Sequence, residues 1–316
     1  MRKVIAIGEC VLDTIFRGSQ PERSFVGGRI MNAAASLASA GVPVEAVSEC
    51  GRDGVGDIIV NFLESKHVSV RSIDRFTDGH TALSAIFPAG DNSQEARIIN
   101  YGSYPPDRFD VVWPRINQDD IIIFGSLYSV EPQQRERLFE LITHAVERKA
   151  IIVYLPGFQH GISVRITHVM PAILENLEVS NIVITHDRDI RLIFPGETGT
   201  EAYRNHFEFY CQNLLHVNSD FSTSLHHRGD TQSSPAPATA PGNPLGWQAG
   251  LTAGLVHAII TLGITRDNID ALHSSMWSNI LSRALQWANA CDLPASNCIP
   301  ADFAAQIASN SNPAQL

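Results

Sequence analysis

Short runs of apolar, largely β-branched residues recur along the chain, separated by stretches whose apolar positions fall at helical spacing. Val4–Gly8, Val44–Cys50, Asp120–Phe124, Ile151–Leu155 and Asn181–Thr185 read as buried strands. Between and after them, Asn32–Ala40, Asp57–Lys66, Pro132–Arg148, Trp247–Leu262 and Ile269–Ala290 read as helices, the first stopped by Gly41 at a C′ position. Strands alternating with helices predict a mostly parallel sheet with helices on both faces, a three-layer α/β/α core.

Two stretches break this rhythm. Thr81–Pro88 and Arg97–Tyr101 alternate like a hairpin around the turn-forming Ala89-Gly90-Asp91-Asn92-Ser93. Gly229–Pro244 carries Pro235, Pro237, Pro241 and Pro244 among Ser, Thr and Ala, and reads as an irregular loop. The expectation is one α/β domain over residues 1–310, with a small β lid at about residues 10–25 and 80–103 and a frayed tail at 308–316.

Composition narrows the class. With 316 residues and 44% hydrophobic content, the chain can bury one large core. Its net charge of −10, with Lys and Arg scattered singly, argues against nucleic acid as a partner. No apolar run reaches the length of a membrane span, and the N-terminal run Val4–Gly8 is too short for a signal peptide. Five widely spaced cysteines without a CxxC pair suit buried or free thiols in a reducing compartment. Together these readings predict a soluble, cytoplasmic protein with no membrane partner and no metal site; His226-His227-Arg228-Gly229-Asp230 reads as a solvated turn.

Three features near the N-terminus carry chemistry. Gly8-Glu9-Cys10-Val11-Leu12-Asp13 is a strand end followed by carboxylates. Gly27-Gly28-Arg29-Ile30-Met31-Asn32 opens a small-residue helix, and Gly51-Arg52-Asp53-Gly54-Val55-Gly56-Asp57 follows the next strand. An open parallel sheet binds ligands beyond the carboxyl ends of its strands, where Asp13 can accept from two vicinal hydroxyls. Gly27 and Gly28 let backbone approach a ligand closely, and Asn32 can both donate and accept. Each alone has a plainer reading, a tight turn or a helix cap.

In this order and spacing the three features resemble the N-terminal signature of the ribokinase/PfkB carbohydrate kinases. Gly125-Ser126-Leu127 after a strand, the β lid and Ile299-Pro300 extend the likeness over nearly the whole chain. The resemblance implies a ribokinase-like fold and a sugar or nucleoside held by Asp13, Gly27, Gly28 and Asn32. Arg97, on the second lid strand, lies either over that site or on the open surface.

The phosphate half departs from the family. Its second signature, D-T-T-G-A-G-D, opens a helix that continues Ala-Gly-Leu, present here as Ala249-Gly250-Leu251. In that register the chain reads Gly242-Asn243-Pro244-Leu245-Gly246, so the family's catalytic Asp falls on Leu245 and its second glycine on Pro244. Leucine takes no proton, and general-base help is worth about 10²–10⁴ in rate. Proline offers no N–H to an anion at a helix N-terminus. The D-P-N strand end reads Leu155-Pro156-Gly157, and the magnesium-linked N-x-x-E reads His186-Asp187-Arg188-Asp189. The T-x-G-x-x-G nucleotide loop falls near Val217-Asn218-Ser219-Asp220 without its glycine. No P-loop, GxSxG or HExxH replaces them.

The expectation is a homologue that binds a sugar or nucleoside and has lost, or nearly lost, phosphoryl transfer. Two alternatives stand beside it. One is an active kinase using ATP and Mg²⁺, with Asp187, Asp189 or Asp230 as base. The other is a structural or regulatory partner that dimerises through the lid.

Overall fold

Val4–Ile7 (β1) is buried along its whole length, and its side chains divide by parity. Val4 and Ala6 join one apolar cluster, Ile5 and Ile7 the other. Only a strand covered on both faces needs such an unbroken apolar run. The computed structural model describes residues 2–87, 97–158, 166–292 and 297–310, apart from the side chains of 97–100 and 310.

After β1 the chain runs through β2 (Val11–Arg17), β3 (Gln20–Gly27), α1 (Arg29–Ser39), β4 (Val44–Gly51), α2 (Gly54–Ser65), β5 (Ser69–Phe76), β6 (His80–Phe87) and β7 (Arg97–Ser103). Next come β8 (Ile121–Gly125), α3 (Pro132–Glu147), β9 (Ile151–Leu155), α4 (Ile166–Val179), β10 (Ile182–His186), α5 (Asp187–Ile193), α6 (Gly199–Ala202) and α7 (Glu208–Tyr210). The remainder is β11 (Asn213–Val217), β12 (Thr223–His227), β13 (Asp230–Ser234), α8 (Pro244–Thr261), α9 (Ser274–Ala290) and α10 (Ala301–Asn310).

Nine strands form one sheet in the order β13-β12-β11-β10-β9-β8-β1-β4-β5. From β11 to β5 every pairing is parallel; β12 and β13 extend the sheet antiparallel. On one face, α1, α2, α8 and α9 pack through Leu37, Ile59, Leu255 and Trp287. On the other, α3, α4 and α5 pack through Leu141, Ile173 and Ile190. The core is therefore the three-layer arrangement that the alternation predicts. Its order also fixes where a ligand goes. The chain leaves β1 for β4 and β5 on one side, then returns to place β8 on the other, which opens a crevice beyond the β1 and β8 carboxyl ends.

A second, four-stranded sheet, β3-β2-β6-β7, is built from the stretches around residues 10–25 and 80–103. Phe16 and Phe87 stack across it, with ring centres 5.1 Å apart. Its β3 edge is exposed over Gln20–Ser24 and carries Pro21, Glu22 and Arg23, which blunt it against strand addition. The expected Ala89–Ser93 turn and the last tail residues lie outside the described residues.

Two expectations are corrected. Gly229–Pro244 is not wholly irregular, because Asp230–Ser234 pairs with β12. Arg228 and Gly229 both take positive φ (47° and 84°), as a two-residue hairpin turn requires, and this turn signal outweighs the prolines further on. His226 and His227 are not solvated but buried on β12. His226 stacks on Tyr203 with centres 4.7 Å apart, and burial pushes its pKa down to about 4. All five cysteines are buried free thiols. No helix among the described residues is long and apolar enough to cross a membrane.

Candidate functional site

The crevice beyond β1 and β8, roofed by the small sheet, holds a cavity of about 270 Å³. That is just below the ~300–1,000 Å³ of pockets for drug-sized molecules. Glu9 and Ser126 line it from the two strand ends, and Asp13, Ser84 and Tyr101 from the small sheet.

Local sequence explains the floor. Gly28 is the N-cap of α1 with φ 88°, a conformation that favours glycine, and a Cβ there would stand 2.4 Å from the Glu9 carbonyl oxygen. A Cβ on Gly27 would meet the Asp13 carboxylate at 2.2 Å. The glycine pair thus lets α1 start directly against Glu9 and Asp13. Ser126 sits at φ 53° and hydrogen-bonds the Glu9 carboxylate; such a backbone costs of order 1–3 kcal/mol and persists where its surroundings hold it.

The carboxyl groups are desolvated. Burial pushes Asp13 up to about 7, a hydrogen bond from Ser84 pulls it back, and the neighbouring Glu9 raises it further. Burial also raises Glu9, against the Ser126 hydroxyl and the Arg29 guanidinium. Arg108 is the cation that lines the cavity, and it is committed to Glu49 through Nε (2.6 Å) and a second, shorter contact from Nη2. Its guanidinium lies 3.8 Å from the Tyr104 ring centre.

Of the residues expected to hold a sugar, Asp13 and Gly28 line this cavity, and Gly27 lies beneath Asp13. Asn32 lines a neighbouring cavity of about 320 Å³ with Leu12, Ile58 and Asn297, and its Oδ1 is buried without a partner among the described residues. Arg97 pairs through its backbone with Phe87; its side chain lies outside the described residues. Sequence reasoning missed Tyr104, Arg108, Tyr128, Glu131 and Gln134, which also line the cavity. Tyr104 and Arg108 lie in a loop, Tyr128 in a short 3₁₀ turn, Glu131 at the N-cap of α3 and Gln134 on its first turn, positions at which apolar periodicity marks no ligand contact. Arg29 was passed over too, although it sits one residue beyond the glycine pair.

The segments expected to face phosphate lie at the ends of β9, β10 and β11 and at the start of α8. Pro244 and Leu245 occupy the first two positions of α8, with Asn243 as N-cap. The Asn243 Oδ1 accepts from the Gly246 N–H at 3.1 Å, while the Asn243 N–H donates to Asp292 Oδ1 at 2.8 Å. A Cβ on Gly242 would stand 3.8 Å from that same Asp292 oxygen. Asp189 is buried and accepts from the N–H groups of Phe158 and His186, both at 2.9 Å. Burial raises its pKa, while the adjacent Arg29 and these two amides oppose the rise. Asp187 is held by His216 Nε2 (3.0 Å) and by the Ser219 N–H and hydroxyl (2.6 and 2.7 Å), which lowers its pKa well below the usual carboxylate range. Asp230 takes a hydrogen bond from Ser274 at 2.5 Å. None of Asp187, Asp189, Asp230 and Leu245 lines the cavity.

A nine-stranded α/β core with its ligand crevice at the β1/β8 switch and a small sheet across it is the ribokinase-like kinase fold. The chain belongs to the pfkB family of carbohydrate kinases, whose profile matches residues 1–205. Among solved structures it resembles aminoimidazole riboside kinase from Salmonella enterica, complexed with aminoimidazole riboside and an ATP analogue, at 14% identity and a TM-score of 0.78. That match covers 98% of this chain and 100% of the other. Fructokinase from Xylella fastidiosa with bound ATP is similar at 15% identity and a TM-score of 0.78, covering 98% of each chain. Fructokinase from Vibrio cholerae O395 bound to fructose, ADP and calcium ion matches at 14% identity and a TM-score of 0.76, covering 99% of each. At such identities the likeness establishes the fold. No curated protein sequence matches the chain.

Proposed function

We propose that this chain binds a sugar or nucleoside in the cavity under the small sheet and has lost, or nearly lost, ATP-dependent phosphoryl transfer. The observation that carries the second half is the start of α8. A helix N-terminus attracts phosphate through its free N–H groups and its dipole. Here Pro244 has no N–H, the Gly246 N–H is taken by Asn243 Oδ1, and the Asn243 N–H is taken by Asp292. A carboxylate of the chain itself stands where an anionic ligand would be drawn.

Other positions support the same reading. Leu245 supplies no base for a sugar hydroxyl, and a base is typically worth about 10²–10⁴ in rate. Asp189, the remnant of the magnesium-linked motif, spends its oxygens on two backbone amides beside Arg29. Phosphoryl transfer depends on positioning and on charge stabilisation by metal and amides, and these residues do not suit either.

The cavity supports the first half. Two carboxylates, Glu9 and Asp13, with Ser84, Ser126 and Gln134, form a set of acceptors and donors suited to hydroxyl groups. The similar kinases hold a riboside in one case and fructose in another, and both are polyhydroxylated. A coupled ATP-consumption assay over a panel of sugars and nucleosides tests the loss. Turnover at the background rate is expected, and turnover at ordinary kinase rates overturns the reading.

A further inference from the structure

We infer that Tyr128, Glu131 and Gln134 make one end of the cavity a recognition site for an ammonium group, so that its ligand is a polyhydroxylated amine such as an amino sugar. This rests on the sugar-binding reading above and narrows it to a substrate class.

The three residues come from the short turn after β8 and the start of α3, and all line the cavity. Glu131 is the N-cap of α3, yet its side chain makes no capping bond. Its carboxylate takes no hydrogen bond or ion pair among the described residues, leaving it available to a ligand. Gln134 is 1% exposed, and its Nε2 donates to the Tyr128 carbonyl oxygen at 2.5 Å. That bond fixes the amide orientation, because a flip would set two oxygens against each other. Among the described residues, Gln134 Oε1 is left as a buried acceptor without a donor, and Tyr128 Oη is likewise buried and unpartnered. Buried polar groups are normally satisfied, so these two oxygens, on residues of one cavity wall, are hydrogen-bonding capacity that the fold itself leaves unused.

The charge balance selects a cation. Glu9, Asp13 and Glu131 all line the cavity, while the lining cation Arg108 is neutralised by Glu49. Arg29 stands beside Glu9 but also beside Asp189, which shares its charge. An ammonium brings three N–H donors and one positive charge to this surplus of acceptors and carboxylates. A neutral sugar supplies the donors but not the charge.

The test is calorimetric titration of the full chain with matched pairs: glucosamine and glucose, galactosamine and galactose, 1-amino-1-deoxyfructose and fructose. At least one amine is expected to bind about tenfold more tightly than its parent. Glu131→Gln, isosteric and partly exposed, should remove that advantage, so that the amine and its parent sugar bind the variant alike. Equal binding of amine and parent in every pair overturns the ammonium site and leaves the sugar reading standing. An amine preference that survives Glu131→Gln overturns the assignment to this end of the cavity. No binding by any member overturns the ammonium site, and the sugar-or-nucleoside reading then falls only if the wider panel with nucleosides is also silent.

Discussion

The backbone N–H of Asn243 donates to the Asp292 carboxylate at 2.8 Å, across 49 residues of chain, and so ties the start of α8 to the segment just past the end of α9. The same N-terminus is where the family's second signature offers amides to phosphate. If Asp292 stands in for an external anion, Asp292→Ala should lower Tm, since an unpaired buried donor costs ~1–3 kcal/mol. Inorganic phosphate should then recover part of that loss in the variant and leave the unmodified chain's Tm unchanged. Melting scans with and without phosphate check this; equal phosphate effects on both proteins would contradict it.

Restoring the missing carboxylate should not restore chemistry. Leu245→Asp places an acid at the second position of α8, but Pro244 still lacks its N–H and the Asn243 and Gly246 amides stay occupied. ATP consumption by the variant is expected to remain at background in the coupled assay. A rise into the ordinary kinase range would mean that the base alone had been missing.

Asp13 makes stability depend on pH. Its folded pKa of about 7 lies above the ordinary carboxylate value of about 3.9, so the folded state holds the proton more tightly than the unfolded chain. Its contribution is fully present below about pH 4 and is lost as pH rises through 7. Asp13→Asn removes the ionisation, so the variant should melt higher than the parent at pH 8, with the difference shrinking towards pH 4. Equal Tm values at pH 8 would show that the carboxyl is not desolvated.

The Arg108–Glu49 pair is buried, with Arg108 5% and Glu49 1% exposed. Arg108→Ala strands the Glu49 carboxylate and should cost ~3–5 kcal/mol in denaturant unfolding. Replacing both by methionine should cost less than the single change, because no charge is then left unpaired. A double variant less stable than Arg108→Ala would show that the pair contributes more than the neutralisation of Glu49.

Much of the fold was legible because β1, β8 and β9 are buried along their lengths, and β10 up to its last residue, and so read as largely apolar runs. β13 escaped because Asp230–Ser234 is a polar strand at the sheet's edge, where no core demands apolar residues. Asp13 and the glycine pair were legible because a carboxylate past a strand end and two adjacent glycines are local features. Glu49 and Arg108 were not, because the bond that joins them spans 59 residues of sequence. Asp292 was missed for the same reason: its role lies in a bond to Asn243 that no local pattern announces.

Sugar binding that needs no nucleotide is the central claim, and a melting scan over a panel of sugars, amino sugars and nucleosides tests it most directly. A ligand that binds only the folded state stabilises it by about 2.7 kcal/mol at a hundredfold excess over Kd. The account predicts a ligand-induced rise in Tm that Asp13→Ala abolishes and that ATP with magnesium neither causes nor enhances. No rise with any compound, or a strong rise with ATP and magnesium alone accompanied by turnover of ~1–100 s⁻¹, would contradict it.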